Sequence, residues 1–269
     1  MINLALCGIG RAGIELIRTV RETDNYKIVA AFCKNNSEKR GKDIGLLAQM
    51  SESGIYATEI SEADRVLSET KVDVVIDFSN PAASMMLLNA CKNHGTPAVI
   101  CTTGFSDEDI DWMIKLAWSH KLGIVYAPNV TLGINVLMSL LKTVARALPF
   151  FDYQITEIHH NKKHDIPSGT AKRIAESLER DLPLSSCSVP INSVRAGGYI
   201  GIHEVVAAGE CERISISHES FSRRAFASGA LVAAEYIKDK KGWHYMEDVL
   251  DIGAMLNEES DEKPRFVRA

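Results

Sequence analysis

The densest chemistry in the 269-residue chain lies in Glu157-Ile158-His159-His160-Asn161-Lys162-Lys163-His164-Asp165-Ile166-Pro167-Ser168-Gly169-Thr170-Ala171, where three histidines and two lysines fall within six residues. They sit at the end of a predicted strand, so His159 and His160 point to opposite faces and cannot share one role. Pro167 biases Ile166 toward an extended shape and closes the loop. Ser168-Gly169-Thr170 then opens a helix, where backbone N–H groups and hydroxyls can donate to a carboxylate. With the charge of Lys163 beside them, these residues fit a small, doubly negative substrate and a proton donor, with His159 and Lys163 as the catalytic candidates. Metal binding is not expected, because adjacent strand residues diverge and no further ligand cluster is evident.

A second chemical signal is Gly8-Ile9-Gly10-Arg11-Ala12-Gly13, a G-x-G-x-x-G directly after the first predicted strand. Gly8 allows the tight turn, Gly10 lets backbone approach a pyrophosphate, and Gly13 permits close helix–strand packing. The helix opening there offers unpaired N–H groups and partial positive charge to phosphate. The second strand ends at Phe32, followed by Cys33, Lys34, Asn35, Asn36 and Ser37, with no carboxylate at its tip to hold ribose hydroxyls. Lys34, with Lys39 and Arg40 nearby, suits a 2′-phosphate, so NADPH is favoured over NADH, which stays as the alternative. Nothing in the sequence activates Cys33, and it is read as packing.

These residues must be carried by a framework. Strand patterns at 2–7, 26–32, 72–78, 97–101 and 123–126 alternate with helical patterns at 14–20, 83–93 and 107–120. That alternation predicts a parallel sheet covered on both faces, binding its ligand at the carboxyl ends of the strands. Beyond Asn129 the order changes. Helical patterns cover 132–148, 171–182 and 224–238, and strand patterns 151–160, 193–200, 204–208 and 213–218. The fold class read from this is α/β: an N-terminal Rossmann-type dinucleotide-binding domain over 1–129, and a second α+β domain on an open mixed sheet over 130–256. The C-terminal part of the second is placed either within it or back on the first. A polar tail, 257–269, follows.

Composition narrows the class. A hydrophobic content of 46% supports a real core, and a net charge of −5 with a pI near 5.9 argues against a nucleic-acid partner. No apolar run reaches the ~18–20 residues of a membrane span, and the N-terminus enters a strand without a signal-peptide pattern. Six scattered cysteines without C-x-x-C spacing suggest neither a disulfide framework nor a zinc site. A cytoplasmic enzyme is expected.

From about residue 2 to 256, the sequence resembles the 4-hydroxy-tetrahydrodipicolinate reductase (dihydrodipicolinate reductase) family. The most specific match is Glu157 to Ala171 against H-H-x-x-K-x-D-x-P-S-G-T-A. Supporting matches are V-I-D-F-S-N-P (75–81), T-T-G-F (102–105), A-P-N-V-T-L-G-I-N (127–135), V-R-A-G-G-Y-I-G-I-H-E (194–204) and S-H-E-S-F-S-R-R-A-F-A-S-G-A (217–230). The resemblance implies reduction of a small dicarboxylate in lysine and diaminopimelate biosynthesis. It implies His159 as proton donor/acceptor and Lys163 as second donor. His160, Ser168, Gly169 and Thr170 become substrate carboxylate contacts. Cys101, Thr102, Thr103, Ala127, Pro128, Asn129 and Val130 become the walls around the nicotinamide, and Lys34 the contact to the 2′-phosphate. It also implies a homotetramer built through the second domain's sheet. The chain departs from the family pattern in a shorter glycine loop, in Cys33 where many members carry an acid, and in Cys101 where a glycine precedes Thr102. Another NAD(P)-dependent imine or amino-acid dehydrogenase, or a non-catalytic NADP-binding sensor, would share the glycine loop but need not carry the H-H-x-x-K and P-S-G-T pair.

Overall fold

The computed structural model describes residues 1–182 and 189–252. The polar tail lies outside the described residues, as does Cys187. In chain order the first part runs β1 (Ile2–Cys7), α1 (Arg11–Arg21), β2 (Tyr26–Cys33), α2 (Ile44–Leu47), β3 (Ala57–Glu59), α3 (Ala63–Glu69), β4 (Val74–Asp77), α4 (Pro81–His94), β5 (Ala98–Ile100), α5 (Asp107–Ser119) and β6 (Gly123–Tyr126). The second part runs α6 (Leu132–Ala147), β7 (Asp152–His159), α7 (Gly169–Asp181), β8 (Ile191–Arg195), β9 (Gly201–Ala208), β10 (Arg213–Ser220), α8 (Arg224–Ile237), β11 (Gly242–Tyr245) and α9 (Met246–Val249).

Seven parallel strands form one sheet in the order β11-β6-β5-β4-β1-β2-β3. Its strands are apolar on both sides because helices cover both faces. Leu4 and Leu6 of β1 pack with Leu16 and Ile17 of α1 and with α8, whereas Ala5 and Cys7 face Leu87, Leu88 and Met113 of α4 and α5. The chain leaves β1 toward β2 and β3, then returns to β4 and proceeds the other way. The strand order therefore reverses between β1 and β4, the place where such sheets open a ligand crevice.

The second sheet has the order β10-β9-β7-β8, with β7 parallel to β8 and the other pairs antiparallel. Period-two alternation turns Tyr153, Ile155, Val205 and Ala207 inward against Ile134, Leu137 and Leu141 of α6 and Ile174 and Leu178 of α7. Late elements return to the first sheet. Strand β11 adds beside β6, and α8 packs on α1 and over β4, β5 and β6. Gly229 of α8 makes this approach close, since a Cβ there would lie 1.9 Å from the Val130 carbonyl oxygen.

Two boundaries differ from the sequence reading in ways that matter for the site. The strand expected over 193–200 ends at Arg195, because Gly197 takes a left-handed φ of +50° and turns the chain into β9. Helix α7 begins at Gly169 rather than Ala171, because the Ser168 hydroxyl accepts the Ala171 N–H at 3.2 Å and caps it.

Candidate active site

Gly8 has φ +92°, and a Cβ on it would meet the Phe78 carbonyl oxygen at 2.3 Å. Gly13 lies against Gly8, with a hypothetical Cβ 2.0 Å from the Gly8 carbonyl oxygen. Gly10 differs from both: no atom lies within 4 Å of the place its Cβ would take. It is the N-cap of α1 with no side-chain cap, so the first-turn N–H groups stay available beside open space. Two glycines thus shape the turn and the third clears room above it, which fits a pyrophosphate.

Gly8, Ile9 and Gly10 line a cavity of about 270 Å³ with Cys33, Lys34, Ser37, Lys39 and Phe78. Lys34 is exposed at its rim, and Lys39 Nζ donates to the Ile9 carbonyl. Arg40 is drawn away toward Glu59 and Glu62. Cys33 is buried in the core, where burial raises its thiol pKa.

The same loop opens on its other side into a larger cleft of about 1730 Å³. Arg11, Ala12, Thr103, Pro128 and Asn129 line it from the first domain, and His159, His160, Lys163, Ser168, Gly169 and Thr170 from the second. Asn129 joins the two sides. Its Nδ2 donates to Thr170 Oγ1 at 3.0 Å, and its Oδ1 accepts from Thr131 N at 3.1 Å and Oγ1 at 2.8 Å.

Some expected wall residues are turned elsewhere. The Thr102 hydroxyl, 3% exposed, donates to Asp77 Oδ2 at 2.9 Å and accepts from Ser79 N at 3.0 Å. Cys101, Ala127 and Val130 pack in the core and line neither cavity. Asp77, not singled out from sequence, is fully buried at the end of β4 and also accepts from Ser79 and Ser84. Burial pushes its carboxyl up, partly opposed by those hydroxyls.

Around His159 three strands converge. His159 is 7% exposed, and its Nδ1 contacts Glu157 Oε2. Glu157 Oε1 accepts from Arg195 Nη2 at 2.8 Å and from Ser168 N at 3.3 Å. Burial pushes the Glu157 carboxyl up, but the hydrogen bonds from Arg195 and His159 prevail and hold it at about 2. His203 of β9 sets its ring 5.2 Å from that of His159, and its Nε2 lies 3.2 Å from Ser168 Oγ. Burial, then the neighbouring His159, pushes His203 down to about 3, so it is neutral at physiological pH. Burial also lowers His159, against an upward pull from Glu157.

Glu157, His159 and His203 bring ligand-type atoms within 4.8 Å of one another. Both Glu157 oxygens are already engaged by N–H groups and a guanidinium, so the cluster reads as a hydrogen-bonded ion-pair network.

The start of α7 has the chemistry of an anion cradle. Ser168, buried at 2%, is committed to capping and to His203 rather than facing the cleft freely. The Gly169 and Thr170 N–H groups remain. Lys163 Nζ pairs with Asp165 Oδ1 at 2.8 Å. Against the upward push of burial, Lys163 and the Gly169 N–H hold Asp165 below the usual carboxylate range. A carboxylate is therefore already stabilised at this helix start. His160 Nδ1 is buried at the cleft with no partner among the described residues. Glu157, Arg195 and His203 escaped sequence reasoning as site residues, although they stand inside motifs singled out there.

A glycine turn at the switch point of a doubly wound sheet, sharing one cleft with a buried histidine and a helix start of a second domain, is the arrangement of a two-domain nicotinamide-dinucleotide oxidoreductase. Within that class, the chain belongs to the dihydrodipicolinate reductase family. The models for the N-terminus and C-terminus of dihydrodipicolinate reductase match residues 2–130 and 133–250. A 4-hydroxy-tetrahydrodipicolinate reductase from Methanocaldococcus jannaschii is 34% identical over 94% of this chain and 98% of that protein. One from Methanopyrus kandleri is 35% identical over 93% and 97%. Among solved structures, the dipicolinate-bound dihydrodipicolinate reductase from Paenisporosarcina sp. TG-14 superposes with a TM-score of 0.77 at 26% identity, covering 91% of this chain and 97% of that one. An amine dehydrogenase from Mycobacterium smegmatis, 15% identical with a TM-score of 0.67 over 90% and 94%, shares the fold.

Proposed function

We propose that this chain reduces 4-hydroxy-tetrahydrodipicolinate to tetrahydrodipicolinate in lysine and diaminopimelate biosynthesis, using NADPH in preference to NADH. The observation that carries this reading is the single cleft shared by Arg11 and Ala12 of the glycine loop and by His159, His160, Lys163, Gly169 and Thr170. The dinucleotide supplies the hydride when bound. The chain's residues do the rest. Gly169 and Thr170 N–H groups, with Lys163 and His160, hold the substrate carboxylates, and a carboxylate from the substrate takes the place Asp165 now holds. His159 or Lys163 delivers the proton. Asn129 keeps the cofactor wall and the anion cradle in register through its bond to Thr170. Loss of NADPH absorbance with freshly generated substrate, inhibited by pyridine-2,6-dicarboxylate, is the expected result. Cofactor binding without turnover would favour a sensor, and turnover only of amino-acid-derived imines would favour another dehydrogenase.

Support for NADPH comes from Lys34 at the rim of the loop cavity and from the absence of a carboxylate among that cavity's lining residues. A charge-assisted contact is worth ~1.5–3 kcal/mol. Lys34→Ala is therefore expected to raise KM for NADPH by about 10–100-fold and to leave NADH kinetics nearly unchanged. Equal effects on the two cofactors would refute the 2′-phosphate role.

A homotetramer is supported by the outer face of the second sheet. There Val194, Ile158 and Ile202 are register partners in one apolar row, with Val194 41% exposed. Light scattering is expected to give four times the 29.6 kDa chain mass, and Val194→Lys a smaller species. A monomer at micromolar concentration would sink this. We also place the protein in the cytoplasm. No helix among the described residues is long and apolar enough to cross a membrane, and Cys7, Cys33, Cys91, Cys101 and Cys211 are free thiols.

A further inference from the structure

We propose that Glu157 is a positioning residue that dictates which nitrogen of His159 exchanges the proton. The catalytic meaning of this rests on the reductase reading above, but the geometry does not. Glu157 and His159 are two residues apart on β7 and share its inward face. The carboxylate is fully buried, and its two ends are divided: Oε2 meets His159 Nδ1, while Oε1 accepts from Arg195 Nη2 at 2.8 Å and Ser168 N at 3.3 Å.

An ionised carboxylate only accepts hydrogen bonds. His159 must therefore carry its proton on Nδ1, leaving Nε2 bare in the neutral ring. Nε2 lies beside Gly201, where a Cβ would come within 3.0 Å, so glycine leaves the ring its space. Protonation then loads Nε2, the proton goes to substrate from Nε2, and the ring returns to the same tautomer. Arg195 extends the arrangement, since its Nη2 also donates to the Asp165 carbonyl at 2.6 Å. One buried carboxylate thus orients the imidazole, the start of α7 and the loop that carries Lys163.

Glu157→Gln exposes the logic. An amide has one accepting and one donating end. The Oε1 position faces two obligatory donors, Arg195 and the Ser168 N–H, so the amide oxygen must sit there. The amide NH₂ then falls against His159 Nδ1 and forces it to accept, which moves the proton to Nε2. That neutral ring cannot release its Nε2 proton, and its imidazolium would set donor against donor. The charged groups around the ring are Glu157 on its own strand, Lys163 from the loop and Arg195 from β8, with the neutral His203 from β9. Only Glu157 favours the imidazolium, so its loss moves the basic limb of the kcat profile to lower pH.

The test combines long-range ¹H–¹⁵N spectra of the eight histidines with kinetics, His159 being assigned by its loss in His159→Gln. The expected results are an Nδ1–H tautomer in the unaltered protein and an Nε2–H tautomer in Glu157→Gln. In that variant kcat falls by about 10²-fold or more with KM within a few-fold, and the basic limb shifts down. An Nε2–H tautomer in the unaltered protein overturns the proposal without recourse to any variant. So does a folded Glu157→Gln that keeps the Nδ1–H tautomer or its kcat. Expected tautomers in a protein with no reductase turnover would uphold the positioning role and reject the function proposed above.

Discussion

His159→Gln lowers kcat by about 10²–10⁴-fold, the usual contribution of a positioned proton donor, and leaves KM for substrate and cofactor within a few-fold. The expectation follows from how the labour is divided in the cleft. His159 is nearly buried at the tip of β7 and is braced by Glu157. The groups proposed to hold the substrate carboxylates, His160, Lys163 and the Gly169 and Thr170 N–H groups, stand apart from it on the following loop and on α7. Glutamine keeps much of the size and a hydrogen-bonding end but carries no exchangeable ring proton. A loss confined to kcat marks an interaction made in the transition state. Steady-state kinetics at saturating NADPH would check it. An unchanged kcat would remove His159 from the mechanism and leave Lys163 as the sole donor.

The second large effect separates two glycines three residues apart. Gly13→Ala places a methyl 2.0 Å from the Gly8 carbonyl oxygen and 3.5 Å from Leu6 Cδ1. Backbone cannot yield there as a flexible side chain would, so α1 must lift from the sheet. Overpacking of this kind costs ~1–3 kcal/mol or more, a fall in Tm of about 2–12 °C for a chain this long. Gly10→Ala meets nothing within 4 Å, and its backbone, φ −88° and ψ −161°, suits any L-residue. Its Tm is expected to stay near that of the unaltered protein. The new methyl nevertheless occupies the approach to the free N–H groups of α1, so KM for the dinucleotide rises about 10-fold or more, the loss of one good contact. Thermal melts and cofactor titrations of the two variants check this. If Gly10→Ala melts early while binding cofactor normally, the division of roles between the glycines is wrong.

Much of this site was legible in the sequence because its signals are local. The glycine spacing, its place after β1, and the run from Glu157 to Ala171 depend on neighbours a few residues away. They led, without a fold in hand, to the glycine turn and the histidine-lysine loop that the structure brings to one cleft. The first errors were also local. Gly197 ended β8 earlier than its apolar pattern suggested, and the Ser168 cap started α7 two residues sooner. The family resemblance puts Thr102 in the nicotinamide wall, yet its hydroxyl turns inward to the buried Asp77. Side-chain direction at a strand end depends on which acid lies on the next strand.

Residue types and spacing by themselves picked out the groups on which the proposed chemistry rests: a glycine turn, a helix start, a histidine and a lysine. Tertiary structure alone decided that Glu157 from β7, Arg195 from β8 and His203 from β9 would meet around one imidazole, and that Asn129 would tie the cofactor wall to Thr170. The physical reason is strand register. Pairing Glu157 opposite Ser193 and His203 is a property of three segments at once, fixed by the packing of a whole face against α6 and α7. No window of sequence carries that information.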